Sequence, residues 1–548
     1  MLTMRQGFLR LAVTALIPAL IAPVAGRARS LLPAPAQPES ISASGSSSSA
    51  EARAARAYQA AVRQGPLAVE AFLNDFPKGA DLHFHFTAGV YAETLIRFAA
   101  EDKACIDPAK AEFARDEQGK VIKEPCTPPL VPAAELNGSS LTPREQDLYD
   151  RVVDAFSMRN FVPTSSYSGH DQFFATFDRF GGLDKGHAGQ SIDEITRRAD
   201  AENNQYIELM HTPAFGHAAR IAHELGFNPD LAQMRQALID HGLRDEVAAD
   251  REELKAAIES RNRIQHCGSS DASSACHVQV RFIYQILRAF SPEQVFAQTL
   301  LGFETVEQAI EQGSDDWVGI NFVQPEDYMV SMRDYSLHMR MVEYLHGLYP
   351  KVHITLHAGE LAPGMVPPEG LRFHIRQAVE VGHAERIGHG VDVMYENDAL
   401  GLLKEMAKKH VMVEVNLSSN DGILGITGNM HPFMYYRAAH VPVALSTDDQ
   451  GVSRIDLTHE YVRAANEYHL SYEDLKQLAR TGMEHSFLPG SSLWSSPDVF
   501  TVPAAACKGQ LLGGPKPSTS CKTLLDANEK AAAQWELERR FHEFESRF

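Results

Sequence analysis

Short apolar runs rich in Val, Ile, Leu and Phe recur along the chain, each ending in polar residues and separated from the next by stretches with helical spacing. They are "DLHFHF" near 81, "YIELMH" near 206, "VQVRFIYQ" near 278, "WVGINFV" near 317, "VHITLHA" near 352, "RIGHGV" near 386, "VMVEVNL" near 411 and "PVALSTDD" near 442. Strand-like runs separated by helical patterns make an α/β chain. Eight of them predict a TIM-type (β/α)8 barrel, whose chemistry sits at the C-terminal ends of its strands. No internal repeat with matching residues accompanies them.

Two stretches fall outside a bare barrel. Residues 100–145, with "CIDPAK" and "KEPCTPPLVPAAELNGSS", read as an insertion after the first strand. Residues 486–524 read as a Gly/Pro/Ser-rich loop before a terminal helix that starts near 524. Each carries one cysteine pair, the expected staple for an irregular segment with no core of its own. Residues 1–30 hold four arginines and no acid around "LAVTALIPALIAPVAG", the pattern of a secretory signal peptide cut near Ala25 to Ala28. A membrane anchor is the alternative. The Pro/Ser/Ala tract that follows reads as a flexible tether. The expected division is a signal peptide over 1–28, a linker over 29–54, the barrel with its insertion over 55–490, and a C-terminal extension with a Cys-bridged loop and helix over 491–548.

These boundaries bear on charge and compartment. The full chain has a formal net charge of −20, and loss of the four N-terminal arginines makes it −24. So acidic a surface repels phosphate backbones and argues against nucleic acid as a partner. No later run offers about 18 uninterrupted apolar residues, so no stable membrane span is expected after signal cleavage. The protein is expected to be exported, periplasmic or extracellular. In an oxidising compartment its six cysteines read as disulfides. Fifteen connectivities are open, and nearest-neighbour pairing, Cys105 with Cys126, Cys267 with Cys276 and Cys507 with Cys521, closes the shortest loops. The lack of Cys-x-x-Cys argues against a structural zinc.

Candidate chemistry gathers at the strand ends. In "DLHFHF" a period of two sends His83 and His85 from one face and Leu82, Phe84 and Phe86 from the other, which offers two nitrogen ligands to one metal. His-x-His alone is weak. "KVHITLHAGE" adds His357 and, within the next turn, Glu360. "ERIGHGVD" adds His389 between glycines that let a ligand approach the backbone. In "VPVALSTDDQG", Asp448 shares the inward face with Ala444 and Ser446 while Asp449 begins the loop, although adjacent acids here also suit a turn or helix N-cap. Strands ending in His, Glu and Asp suit one catalytic zinc per chain, which lowers the pKa of bound water to about 7. Iron, manganese or cobalt could occupy a similar site. His353 shares a face with His357 but lies deeper, and reads as barrel filling or a hydrogen bonder at the base. His374, His383 and His431 show no ligand-like partner.

In this order and at strand ends, "DLHFHF", "HAGE", "RIGHG" and "STDD" resemble the adenosine deaminase family of metal-dependent barrel hydrolases, over roughly residues 77–487. "PKGADLHFHF", the insertion, the export signal, "VGINFVQPED" and "VEVNLSSN" resemble its secreted, growth-factor-like branch. The resemblance implies that His83, His85, His357 and Asp448 hold zinc. It further implies that Glu360 gives a proton to purine N1 while water activated at the zinc adds to C6. His389 would orient and help deprotonate that water, and Asp449 would hydrogen-bond near N7. Gly319, Gln324 and Thr87 are the implied remaining substrate contacts. Gln324 stands where family members commonly have a glycine, and Phe86 and Thr87 replace an acidic residue that helps grip the ribose. How the sugar is held is therefore open.

The implied function is an exported zinc-dependent deaminase, a hydrolase of a cyclic amidine C–N bond, that converts adenosine or deoxyadenosine to the inosine product and ammonia. Its partner is a small purine nucleoside, and a homodimer is allowed. Adenine, a modified adenine nucleoside, or an unrelated amide or ester are alternative substrates for the same barrel. A secreted binding or signalling protein using the barrel as scaffold is the remaining reading, but a scaffold has no need for a full set of ligands and acid. The other zinc deaminase design, His-x-Glu with Pro-Cys-x-x-Cys, is absent.

Overall fold

The computed structural model describes residues 49–183, 185–314 and 316–548. The expected signal peptide and the linker up to residue 48 lie outside the described residues. Strand β1 is Gly79–His85, and three short strands follow, β2 Cys105–Asp107, β3 Glu112–Phe113 and β4 Val131–Pro132. Then come β5 Asn204–His211, β6 Gln279–Leu287, β7 Trp317–Val323, β8 His353–Ala358, β9 Arg386–His389, β10 Met412–Val415 and β11 Val443–Leu445. All eight expected runs are strands of one sheet, in the order β1-β5-β6-β7-β8-β9-β10-β11, with every pair parallel.

The first and last strands meet. Phe84 and Asp448 form a parallel bridge, in which the His85 N–H donates to the Asp448 carbonyl at 3.1 Å and the Asp448 N–H donates to the His83 carbonyl at 2.8 Å. These bonds close the expected barrel, and the residues that make them are three of the four candidate ligands. Strand β7 is buried at every position and β8 at all but its first, as parallel strands covered on both faces must be. Inside the barrel, Arg386 of β9 pairs with Glu208 of β5 and Glu414 of β10, each at 2.6 Å and all fully buried. The centre of the Phe487 ring lies 3.8 Å from the Arg386 guanidinium, and Phe487 packs with Met210, Ile283 and Val318. Among the described residues no helix is long and apolar enough to cross a membrane.

Three segments differ from expectation. The linker drawn to residue 54 gives way to the helix Ser49–Gln64, because "SAEARAARAYQAAVRQ" is rich in alanine, the strongest helix former, and buries Ala54, Tyr58 and Ala61. The insertion exceeds 100–145. Between β1 and β5 stand the helices Ala92–Glu101, Pro143–Ala155, Gly169–Phe180 and Ala188–Ala201 and the antiparallel sheet β3-β2-β4. Nor does it lack a core: Ile106, Phe113, Val152, Phe156, Phe173 and Phe180 are buried in one cluster, each such phenylalanine worth about 1.5–3 kcal/mol. The helix Gly169–Phe180 starts at a capping box of Ser168 and Asp171 and turns Phe173, Thr176 and Phe180 inward at helical spacing. The terminal helix divides into Thr519–Ala527 and Glu529–Glu545 at Asn528, whose side-chain oxygen instead accepts from the Ser491 N–H at 2.7 Å. The three nearest-neighbour disulfides are formed.

Candidate active site

The period of two in β1 has the consequence expected of it. His83 and His85 point into the barrel, where their Nε2 atoms lie 3.1 and 3.2 Å from Nε2 of His357 at the end of β8. Asp448 Oδ1 is 3.1 Å from His85 Nε2 and 3.5 Å from His83 Nε2. Each imidazole turns its other nitrogen to an oxygen: His83 Nδ1 to Glu414 at 2.6 Å, His85 Nδ1 to Gln285 Oε1 at 3.0 Å, and His357 Nδ1 to Asn321 Oδ1 at 2.8 Å. With the ring protons committed there, three Nε2 lone pairs and a carboxylate oxygen without a hydrogen-bond partner face one another.

Such an arrangement repels itself unless a cation sits at its centre. Four donors set tetrahedrally at about 2.0–2.2 Å from a zinc lie about 3.3–3.6 Å apart, and the four separations above run from 3.1 to 3.5 Å. The donor set therefore fits a metal ion, and these four residues form one group able to hold it. Electrostatics agree. Burial opposes a charge on His83, yet Asp448 and Glu414 push it up to about 10, so two carboxylates demand a positive charge that a proton or a metal cation supplies. Burial, then the neighbouring imidazoles, drives His357 well below its usual value, which keeps it an uncharged lone-pair donor.

Beside this group stand Glu360, His389 and Asp448, with ligand atoms within 4.8 Å of one another. Burial, then Asp448 and Glu326, pushes the Glu360 carboxyl well above its usual value, which favours its protonated form. Burial pushes His389 down to about 3. Asp449 is 4% exposed, and burial pushes it up to about 8. It occupies the N-cap position of the short helix Gln450–Ser453 without a side-chain capping bond, and its Oδ1 has no hydrogen-bond partner among the described residues. His389 and Asp448 hold φ of +69° and +61°, conformations that cost non-glycine residues energy and gather at functional sites. The glycines around His389 serve the protein itself. A Cβ on Gly388 would lie 2.5 Å from the His83 ring, and one on Gly390 2.5 Å from the Tyr436 hydroxyl.

Several supporting residues escaped the sequence reading. Glu414, Gln285 and Asn321 orient the three imidazoles. Glu326, fully buried, accepts from the backbone N–H groups of Gly359 and Glu360 at 3.1 and 2.9 Å and pairs with His374 at 2.5 Å. His374 thus has a partner after all, and so does His431, which bonds Asn420 at 3.0 Å. His353 is no barrel filling: it is 41% exposed and bonds Glu385 at 2.9 Å. His383 stacks on His346, with ring centroids 4.8 Å apart.

Residues 201–493, just over half the chain, match the family model described as adenosine deaminase. The chain belongs to the adenosine deaminase family. It is similar to the adenosine deaminase of Clostridium perfringens, 34% identical over 135 residues, which is 24% of this chain and 37% of that protein. The aligned stretch thus spans little more than a third of the curated relative. Among solved structures, an N6-mAMP deaminase from arabidopsis is 21% identical with a TM-score of 0.49, covering 76% of this chain and 96% of its own. An adenine deaminase from Arthrobacter aurescens is 16% identical with a TM-score of 0.47, covering 75% and 94%.

The remaining positions suggested by resemblance to the adenosine deaminase family do not all converge. Gly319 lies toward the start of β7, paired with His353 at the far end of β8 from His357, and a Cβ there would meet the His353 carbonyl at 2.8 Å and the Phe487 ring at 3.1 Å. Its smallness serves strand packing, and it does not join the site. Gln324, with φ of +82°, directs Oε1 to the Ala289 N–H at 2.8 Å, while its carbonyl accepts from Arg288 Nε at 3.0 Å. Thr87 is exposed on the loop after β1, and Phe86 is buried against His211 and Phe282.

Proposed function

We propose that the protein is an exported, zinc-dependent deaminase that hydrolyses the 6-amino group of adenosine or deoxyadenosine and releases ammonia. The observation that carries this reading is the convergence of three Nε2 atoms and the Asp448 carboxylate beside the Glu360 carboxyl, whose ionisation burial disfavours. His83, His85, His357 and Asp448 would hold the metal. When bound, zinc supplies Lewis acidity and lowers the pKa of a bound water to about 7, so that a nucleophile exists at neutral pH.

The chain's own groups address the base. An aromatic amidine is a poor electrophile until its ring nitrogen is protonated, and Glu360, whose burial favours the protonated form, donates to purine N1 as C6 is attacked. Purine N7 is an acceptor only, so a carboxyl facing it must carry a proton, which the raised pKa of Asp449 provides. His389, uncharged and standing 3.6 Å from Glu360 and 3.9 Å from Asp448, orients the attacking water. The three disulfides support export. With Phe86 and Thr87 where an acid would grip the ribose, discrimination for the 5′-hydroxyl is weak.

Metal analysis of purified protein, alongside ammonia release from adenosine, deoxyadenosine, 5′-deoxyadenosine, adenine and cytidine, tests this. We expect about one zinc per chain, turnover of the adenine nucleosides, and none of cytidine. A zinc-loaded protein that releases ammonia from none of them refutes the reading. A loss of more than about a hundredfold in kcat/KM on removing the 5′-hydroxyl, near 2.7 kcal/mol, would assign the grip to another residue.

A further inference from the structure

A series of directed hydrogen bonds leads to His389, and it begins at a donor that cannot be reversed. The backbone N–H of Phe433 donates to His431 Nδ1 at 3.1 Å. An uncharged imidazole whose Nδ1 accepts carries its proton on Nε2. Burial pushes His431 down to about 3, so the ring is uncharged at any working pH. His431 Nε2–H therefore donates to Asn420 Oδ1, 3.0 Å away. That bond fixes the orientation of the amide, because the flipped form would set N–H against N–H. Asn420 Nδ2 is left to donate to His389 Nδ1 at 2.9 Å, and Asn416 Nδ2 approaches the same atom at 3.4 Å. Glu360 Oε1, at 3.6 Å from that nitrogen, is outside hydrogen-bond reach. All four side chains are buried.

We propose that Asn420 and His431 are positioning residues that hold His389 with its proton on Nε2, which makes this ring a hydrogen-bond donor into the site and not an acceptor of the water's proton. A histidine acts as a base at Nε2 only when that atom is bare and Nδ1–H has an acceptor. Here two amide donors face Nδ1. Among the described residues Nε2 has no partner, and it lies 3.9 Å from Asp448 Oδ2, so its N–H opens onto the space between metal group and substrate. The catalytic meaning of this rests on the deaminase reading, in which the donor meets the oxygen that adds to C6 and stabilises its charge. The proposal keeps the orienting role that the family resemblance implies for His389 and replaces deprotonation at Nε2 by hydrogen-bond donation. The tautomer itself does not depend on that reading.

Long-range 1H–15N correlation on the full chain, labelled with 15N-histidine and loaded with zinc, reads the tautomer directly, with His389 identified by the signal that His389→Gln removes. The wild type should show Nε2–H at His389. Asn420→Asp presents a carboxylate to Nδ1 and should move the proton there, with kcat falling about 100-fold, KM within about threefold and zinc content unchanged. His431→Leu removes the donor that orients Asn420 and should lower kcat about tenfold, whereas His431→Gln, whose amide can donate to Asn420 Oδ1, should stay within about threefold of wild type. An Nδ1–H signal in the wild type overturns the proposal. So does an Asn420→Asp protein with unaltered His389 signals and kcat. A wild type that deaminates nothing sinks the functional reading alone, and the spectrum still decides the tautomer.

Discussion

Replacing Glu414 by glutamine separates the metal-holding side chains from the residue that orients them. Glu414 Oε2 accepts from His83 Nδ1 at 2.6 Å, while Oε1 accepts from Thr355 Oγ1 at 2.9 Å and pairs with Arg386 Nε at 2.6 Å, all without solvent exposure. A glutamine keeps the shape but only one acceptor. If its oxygen stays on Arg386, its NH2 meets the His83 Nδ1–H, and His83 must turn or move its proton to the Nε2 that faces the metal. The lost charge-assisted bond is worth about 1.5–3 kcal/mol. Because the ring it orients is a ligand, zinc affinity should fall about 10–100-fold, equivalent to about 1.4–2.7 kcal/mol. Arg386 keeps Glu208, so the stability loss should sit near the lower end of the about 3–5 kcal/mol typical of breaking a buried pair. Chelator competition measures the zinc Kd, and thermal unfolding with and without zinc measures stability. Activity lost at limiting zinc should return in excess zinc. A folded variant with wild-type zinc affinity would falsify the orienting role.

Glu360→Gln should retain zinc while kcat falls about 10²–10⁴-fold, since an amide of the same shape cannot deliver the proton; loss of the metal, or turnover above a tenth of wild type, contradicts this. Cys105→Ser with Cys126→Ser opens a loop with a sequence separation of 21 and should cost about 3 kcal/mol, seen as faster proteolysis within the insertion, with zinc affinity unchanged. Burial opposes ionisation of Glu326, yet His374, Arg288 and the Gly359 N–H hold its carboxyl down from 4.5 to about 2. A depressed carboxylate contributes stability that is complete above its unfolded pKa and is lost as pH falls through its folded one, here about 3 kcal/mol lost between about pH 4.5 and 2. Urea unfolding of Glu326→Gln should therefore show a deficit near pH 6 that closes toward pH 2, and a deficit independent of pH would count against the pairing.

The strands were legible because their signal is local. Parallel barrel strands are short, apolar and bounded by polar residues, and a period of two in "DLHFHF" assigns both histidines to one face without knowledge of any other strand. The groups that orient the ligands carried a weaker signal. Glu208, Arg386 and Glu414 are charges inside runs that otherwise read as buried, and buried charges must be paired, so "YIELMH", "RIGHGV" and "VMVEVNL" held the three members of one internal ion-pair group. Which charge meets which depends on strand order and register, and no local pattern encodes those. Glu326, Asn420 and His431 lie beyond strand ends, in loops and a short helix whose paths are set by packing. The core of the insertion was hidden differently: the expected segment stopped at 145, short of the helix Gly169–Phe180 that turns Phe173 and Phe180 inward.

Closure of the barrel explains why the site is where it is. The backbone bonds that join β1 to Asp448 belong to His83, His85 and Asp448 themselves, so the same contacts that complete the sheet fix the Cα positions of three of the four residues able to hold a metal. Asp448 turns to φ +61° three residues past the end of β11, which allows its N–H and C=O to serve the seam while its carboxylate faces the imidazoles. Thr447, the residue before it, donates from Oγ1 to Asp81 at 2.6 Å and pins the two edges one step deeper in the barrel. A ligand set built on the seam couples metal and fold in both directions. A bound metal would hold the first and last strands together through their side chains, and a seam already closed by backbone hydrogen bonds presents three of the four donors in advance, which would reduce the ordering that binding must impose.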